Sequence, residues 1–279
     1  MQKKDSRPKR RRNEGSFEKR EHRRVVTKKE VSKALEPESV IGMRLNKYVA
    51  HCGVCSRRQA ADLVKSGKIM VNDKVQTEPF YQIQKNDTVQ YEGKTIRPEK
   101  QLVYVLMNKP KNVLTTTSDE RGRTTVMDIL GEEITERIYP IGRLDRDTTG
   151  LLLLTNDGEL AQSLSHPSKK IKKVYQVVLD KPLTKNHLMD IGKGVELEDG
   201  VAMVDNIGFM EEKSKNEVLI EIHIGKNRIV RRIFEHLGYK VEKLDRTHYA
   251  GLTKKDLPRG RFRFLTEREV IMLKHFNKG

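Results

Sequence analysis

The sequence is poor in cysteine, in aromatic residues and in long apolar runs. Its 279 residues include two cysteines, no tryptophan and only 5% aromatic residues. Two cysteines cannot build a disulfide framework, and they suit a reducing compartment. The longest unbroken aliphatic run, Leu151 to Leu154, is too short for a transmembrane helix. The basic opening segment carries no apolar stretch, so we expect no secretory signal and a cytoplasmic protein without a membrane partner.

Negative charge is also in short supply. The chain has 39 Asp and Glu against 56 Lys and Arg, which gives a formal net charge of +17. Residues 1–30 alone hold 13 basic and 5 acidic residues. Because this segment has little apolar surface to bury, residues 1–42 are predicted to be a disordered basic arm. Such an arm suits tethering to a polyanion. The alternatives are a solubility tail and, less favoured because no apolar face accompanies the charge, an anionic membrane.

Two short helices and two hairpins are predicted after the arm. Leu45, Tyr48 and Val49 have the spacing of one helical face. A second helix begins at Ser56, where Ser56 and Gln59 form an S-x-x-Q capping box. Turns at an Asn-Asp pair and at a Glu-Gly pair then indicate two β-hairpins. The pattern favours a small, compact domain.

The helix pair carries a basic surface of the kind that contacts phosphates, although an ordinary solvated surface is the alternative. The run RLNKYVAHCGVCSRRQAADLVKSGKIMVNDKV resembles the S4 RNA-binding domain, first described in a ribosomal protein. The resemblance implies an RNA-binding domain over residues 43–102 that recognises structured RNA by shape and backbone. Six residues of this surface are candidate RNA contacts: Arg44, Lys47, Arg57, Arg58, Lys65 and Lys68.

A metal site in the helix pair is not expected. His51, Cys52 and Cys55 lie close in sequence, but a structural zinc site needs four ligands and no second C-x-x-C or H-x₃-H pair exists. A thioredoxin-like redox role lacks its βαβ context. Packing around a helical turn is the better interpretation of these residues.

Residues 103–279 are predicted to form a larger α+β domain. Short strands outnumber helices and do not alternate regularly with them, which favours a mostly antiparallel sheet with flanking helices over a doubly wound fold. The sequence lacks G-x-x-x-x-G-K-[ST], G-x-G-x-x-G and G-x-S-x-G motifs, which argues against ATP, dinucleotide and serine-nucleophile chemistry. Four helices are predicted in this domain: Gly158 to Ser165, Thr184 to Ile191, Asn227 to Leu237 and Thr266 to Phe276.

The segment GRLDRDTTGLLLLTNDG is the densest in candidate catalytic residues. Asp145 follows Arg143 in a Gly-flanked loop between two apolar strands. A carboxylate beside arginines suits a nucleophile or a charge stabiliser. Two alternatives stay open, namely an Asx turn before the strand and a glycosidase-like pair with Asp147 or Asp157 as the second carboxylate.

Two further segments offer basic and aromatic groups. In IGKNRIVRRIFEHLG an apolar helical face stands opposite a face with Arg228 and Arg231. Arg228 and Arg232 of this segment, and Arg143 of the Asp145 segment, are candidate RNA contacts. In HPSKKIKKVYQV, Tyr175 stands in a strand among lysines, where it suits base stacking or the core equally well.

Together these runs resemble the ribosomal RNA pseudouridine synthases that carry an N-terminal S4 domain. The resemblance implies that Asp145 is the catalytic residue, that Tyr175 stacks on the target base, and that Arg231 pairs with the catalytic carboxylate. The family usually has Gln before V-R-R, whereas this chain has Ile229, which offers no polar contact. The run MNKPKNVLTTTSDERGRTTVMDIL reads most like the large-subunit members.

The resemblance implies isomerisation of a uridine in ribosomal RNA, a reaction that needs no cofactor or metal. We expect a monomer, because no patterned apolar surface stands out in the sequence. The target base must leave its stack, and basic contacts and aromatic stacking can offset that cost. Two alternatives stay open: a small-subunit ribosomal RNA synthase, and a non-catalytic RNA-binding factor of ribosome assembly.

Overall fold

The computed structural model describes residues 40–99 and 101–275. Most of the predicted basic arm, residues 1–39, lies outside the described residues, as does the predicted end of the last helix at Phe276. The last three residues of the predicted arm are described. Gly42 N–H donates to the Ile83 carbonyl over 2.8 Å, so the described chain begins against the small domain.

The small domain contains both predicted helices and both predicted hairpins. The capping box is present, because the Ser56 hydroxyl accepts from Gln59 N–H and the Gln59 side chain accepts from Ser56 N–H. The four strands form one antiparallel sheet in the order β2-β1-β3-β4. The elements are α1 Leu45–His51, α2 Arg57–Lys65, β1 Ile69–Val71, β2 Lys74–Val75, β3 Val89–Tyr91 and β4 Lys94–Thr95.

The large domain is built on a sheet of nine strands. The main order is β13-β5-β7-β11-β8-β10-β9, with β12 paired to β11 and β6 to β7. Every pairing is antiparallel except that of β7 with β11. The α+β fold with a mostly antiparallel sheet is therefore confirmed. The elements are β5 Tyr104–Lys109, α3 Val126–Leu130, β6 Tyr139–Pro140, β7 Thr149–Thr155, α4 Gly158–Ser165, β8 Lys173–Leu179, α5 Lys185–Lys193, β9 Asn206–Phe209, β10 Glu217–Ile222, α6 Ile229–His236, β11 Val241–Tyr249, β12 Leu252–Thr253, β13 Phe262–Phe264 and α7 Glu267–His275.

The helices of the large domain mostly match the expected ones. Helix α4 has the predicted bounds. Within the described residues, α5, α6 and α7 each begin and end no more than two residues from their predicted bounds. Helix α3 was not among the predicted helices. It is five residues long, too short to show a periodic apolar face, and it begins at a capping box in which Thr125 N–H and hydroxyl donate to Asp128.

Strand β7 explains the aliphatic run of the sequence. Leu151 and Leu153 pack on one side of the sheet, in a buried cluster that includes residues of α4 and α7. Leu152 and Leu154 pack on the other side, in a cluster that includes residues of α6. Since both faces of this central strand are covered, it is apolar throughout rather than alternating.

Gly150 allows β7 to begin beside β11. Its backbone has φ +107°, and a Cβ placed there would overlap the backbone nitrogen and carbonyl oxygen of Arg246, with Asp245 Oδ1 at 2.7 Å. Gly150 and Arg246 are direct partners in the one parallel pairing of the sheet. The close approach of the two strands therefore requires glycine.

We expect Gly150→Ala to destabilise the protein by about 3 kcal/mol or more, because strained backbone and overpacking act together. Chemical denaturation of the purified protein measures this. Gly208→Ala in the edge strand β9 is the matched control, since a Cβ there meets nothing within 4 Å. Equal stability of the two variants would contradict the explanation.

Candidate active site

Asp145 lies on the loop between β6 and β7 and faces an open cleft. Its side chain is 33% exposed. The cleft has a volume of about 610 Å³, and its walls come from three loops. They are the loop before α3, the Asp145 loop itself and the loop before α6. The lining residues are Leu114, Thr115, Thr116, Ser118, Asp119, Arg123, Gly142 to Arg146 and Gly225 to Arg228.

The surroundings of Asp145 are basic. Arg228 Nη1 lies 3.5 Å from Asp145 Oδ2. Arg143 and Arg146 flank the carboxylate and are exposed, and neither forms an ion pair with a carboxylate of residues 40–99 or 101–275. The cleft thus holds the Asp145 carboxylate among arginines, and its second carboxylate, Asp119, is paired with Arg123. Such a basic cleft suits a reaction on an anionic polymer.

The structure pairs Arg231 with Asp147 and not, as predicted, with Asp145. Arg231 is 5% exposed, its Nη2 lies 2.7 Å from Asp147 Oδ2, and its Nη1 donates to the Val241 carbonyl over 2.9 Å. The physical reason lies at the start of α6. Arg228 precedes the first helical residue in a left-handed conformation (φ 47°, ψ 29°), so it reaches into the cleft, whereas Arg231 is held between α6 and β11.

The backbone of the Asp145 loop is fixed by hydrogen bonds from three directions. Thr115 Oγ1 donates to the Leu144 carbonyl over 2.8 Å, and Thr148 N–H closes a turn on the Asp145 carbonyl over 3.1 Å. Asn112 N–H donates to the next carbonyl, that of Arg146, over 2.8 Å. A carboxylate on such a loop is held in place before substrate arrives.

Lys109 completes this support and was missed by the sequence analysis. It is fully buried at the end of β5, and its Nζ donates to the carbonyls of Thr148 (2.8 Å), Asp145 (3.1 Å), Pro110 (3.1 Å) and Arg146 (3.3 Å). Burial lowers the pKa of this ammonium to about 8, although nearby carboxylates act in the opposite direction. The sequence signal that could have identified Lys109 is its position at the end of an apolar strand. A lysine is almost never fully buried without partners, so a lysine at such a position indicates a group of acceptors around it.

Tyr175 lies in the middle of β8 and is 8% exposed. It belongs to the same buried apolar cluster as Leu144, the residue before Asp145. In the sheet it pairs with Arg246, which in turn pairs with Gly150 at the start of β7. Tyr175 thus packs in the core on a row of the sheet that ends beside the Asp145 loop.

Two other candidate residues have partners of their own. Arg232 forms a two-point contact with Asp199, with distances of 2.5 Å and 3.1 Å, and this contact lowers the pKa of the Asp199 carboxyl to about 2. Asp157 caps α4 by accepting from the N–H groups of Glu159 and Leu160. The cap gives Asp157 a structural role and argues against its being the second carboxylate of a glycosidase-like pair.

The candidate RNA contacts of the small domain are spread along its surface. Arg44, Arg57, Arg58, Lys65 and Lys68 are exposed, and Lys47 is half-buried. Lys47 and Arg57 line a second cleft of about 560 Å³ between the two domains, together with Arg137. Gly142 lines this cleft and the cleft of Asp145, so the two open into one surface.

Membrane and metal features are scarce in the part of the chain that the structure describes. Within residues 40–99 and 101–275, none of the helices combines the length and apolarity needed to cross a bilayer. The same residues contain no group of three His, Cys, Asp or Glu side chains arranged to hold a metal ion. Burial raises the pKa of the Cys52 thiol to about 12, and Glu99 adds to this effect, so Cys52 behaves as an unreactive packed residue.

Comparison with known proteins agrees with this architecture. The family model described as RNA pseudouridylate synthase matches residues 103–236, and that of the S4 domain matches residues 43–89. A ribosomal large subunit pseudouridine synthase B of Bacillus subtilis (strain 168) is 42% identical over 234 residues, which are 83% of this chain and 95% of that protein. A dual-specificity RNA pseudouridine synthase RluF of Escherichia coli O157:H7 is 34% identical over 239 residues, 85% of this chain and 79% of that protein.

Solved structures give the same result. A crystal structure of a pseudouridylate synthase superimposes with a TM-score of 0.60 and 26% sequence identity, covering 82% of this chain and 99% of that one. Fold, domain order and sequence identity therefore agree, and the chain belongs to the RNA pseudouridine synthases that carry an S4 domain.

Proposed function

We propose that this protein converts a uridine of large-subunit ribosomal RNA to pseudouridine, with Asp145 as the catalytic carboxylate. The observation that carries the proposal is the position of Asp145, on a loop fixed by Lys109 at the floor of a basic cleft. The large-subunit substrate is supported by the name of the Bacillus subtilis relative and by the resemblance of the MNKP run.

The reaction is an isomerisation whose atoms balance without a redox partner. The bond from uracil N1 to ribose C1′ breaks, the detached base turns, and a bond forms between C5 and C1′. The proton on C5 leaves and N1 gains one. Asp145 serves as the nucleophile or as the charge stabiliser for these steps, at the sugar or at the base, and neither role requires a cofactor or a metal.

The other site residues have supporting roles in this proposal. Arg228, rather than Arg231, holds the Asp145 carboxylate toward the cleft. Arg231 positions the neighbouring Asp147 and so the rest of the loop. Tyr175, on the row of the sheet that ends beside the Asp145 loop, supplies the ring against which the extruded uracil stacks once the base has entered.

Contacts to flanking phosphates come from exposed basic residues. Arg143 and Arg146 stand at the mouth of the cleft, and Lys47 and Arg57 stand in the cleft between the domains. Each neutralised phosphate releases counterions, so binding weakens as salt rises.

We further propose that the protein acts as a cytoplasmic monomer, with domains at residues 43–102 and 103–279 preceded by the basic arm.

The test is pseudouridine mapping on ribosomal RNA from cells with and without this gene. Selective chemical adducts stop primer extension at each pseudouridine. We expect one stop to disappear from the large-subunit RNA and to return when the gene is restored. A stop lost from the small subunit instead would replace the proposed substrate, and no lost stop in either subunit would favour a binding role in ribosome assembly.

A further inference from the structure

Phe80 is unusual among the aromatic side chains of this protein. It is 63% exposed, whereas every other Phe and Tyr within residues 40–99 and 101–275 is buried or half-buried. The backbone that carries it is pinned to the start of α1. Asn46 N–H donates to the Pro79 carbonyl over 3.1 Å, and Leu45 N–H donates to the Tyr81 carbonyl over 2.8 Å. The exposed ring is therefore displayed on a fixed backbone.

A cation lies against this ring. The guanidinium carbon of Arg44 is 5.1 Å from the Phe80 centroid, and Arg44 is itself exposed. The pair places an aromatic ring and a positive charge side by side, and both are exposed to solvent. Nucleic-acid bases stack on such aromatic and guanidinium planes, and the positive charge attracts the adjoining phosphate.

The pair stands at one end of a polar surface that carries the basic residues Arg44 and Lys47 and ends at His51, whose pKa is lowered by burial and by Lys47. Arg44, Lys47 and His51 have the spacing of one side of α1 and extend over about 10 Å at the helical rise. Lys47 and His51 line the cleft between the domains, and that cleft meets the cleft of Asp145 at Gly142. A single RNA strand can thus run from Phe80 to the catalytic loop along one face.

We infer that Phe80, backed by Arg44, stacks on an unpaired base of the substrate RNA at the outer end of this surface. The inference rests on the proposed function, because it takes RNA as the substrate. Phe80 is flanked in sequence by the exposed polar residues Glu78 and Gln82, and Arg44 brings a full positive charge to the ring. This combination matches a base next to a phosphate better than an apolar protein surface.

Affinity for a fragment of large-subunit ribosomal RNA that spans the modified uridine tests the inference. We expect Phe80→Ala to bind roughly tenfold more weakly, within the range that base stacking contributes, and Phe80→Tyr to bind like the wild type. The loss is expected in KM rather than in kcat. Val75→Ala is the matched control, because Val75 is similarly exposed (61%) on the same domain but belongs to the β1-β2 hairpin rather than to the segment that pairs with the start of α1.

Fluorescence gives a second measurement. Because the chain contains no tryptophan, Phe80→Trp places a single tryptophan at the proposed site, and excitation selective for tryptophan separates its emission from that of the tyrosines. We expect the same RNA fragment to quench Phe80→Trp strongly and Val75→Trp little. Equal quenching of Phe80→Trp and Val75→Trp, or an affinity of Phe80→Ala equal to that of the wild type, would overturn the inference. The proposed function would still stand in that case if the wild type forms pseudouridine in the same RNA. A defect seen only on ribosomal particles would point to a protein contact instead. If the wild type neither binds nor modifies the RNA, both proposals fail.

Discussion

Asp145→Asn is expected to abolish pseudouridine formation, with a fall in kcat of more than about a thousandfold. Asparagine has the same shape, so the variant should fold like the wild type and keep its affinity for RNA. It lacks the negative charge that the reaction needs, and its amide is neither a nucleophile nor a stabiliser of positive charge. Single-turnover assays on the RNA fragment, with binding measured in parallel, separate chemistry from affinity.

Asp147→Asn is the matched control for this experiment. Asp147 is two residues along the same loop and is also an aspartate, but its ion-pair partner is Arg231 at 2.7 Å, whereas that of Asp145 is Arg228. Asparagine keeps an acceptor for that guanidinium, so we expect a loss of about tenfold or less, from a less well held loop. Activity retained by Asp145→Asn, or a larger loss in Asp147→Asn, would move the catalytic role away from Asp145.

The order of elements could be predicted because each rests on a local signal. The capping box at Ser56 and the leucine run of β7 are examples, since hydrogen-bonding side chains and apolar periodicity act within one or two turns of chain. Asp145 became a candidate in the same way, from a Gly-flanked loop between two strands together with the family resemblance, and its catalytic role stays a prediction. Helix α3 was missed because five residues are too few to show a period.

The partners within the site could not be predicted from spacing. Arg228 and Arg231 are three residues apart, so a continuous helix would place both on one face. The helix instead begins at Ile229, and the left-handed backbone of Arg228 turns its side chain toward Asp145. Which arginine reaches which carboxylate therefore depends on one backbone conformation, and residue spacing along a helix does not reveal it.

Lys109→Met is expected to reduce kcat by about a hundredfold, although the side chain does not line the catalytic cleft. Methionine fills similar volume but donates nothing to the four carbonyls that Nζ now contacts, three of which belong to the Asp145 loop. A displacement of about 1 Å at a reacting group costs on that order. RNA affinity, measured on the same fragment, is the control for an intact cleft, and an unchanged kcat would show that Thr115, Asn112 and Thr148 suffice.

The pH dependence of stability distinguishes the buried ammonium from a merely packed side chain. Burial lowers the pKa of Lys109 to about 8, whereas in the unfolded chain it keeps its ordinary value near 10.5. Between these values the unfolded chain binds more protons than the folded one, so this group makes the folded state more stable as pH rises. Below pH 8 the cost of burying the charge is fully present. Wild-type stability relative to Lys109→Met should therefore increase from pH 8 to pH 10, by up to about 3 kcal/mol, in parallel denaturation series. A flat difference would mean that the four carbonyls keep the ammonium charged throughout, and the loop would then be held by a permanent cation.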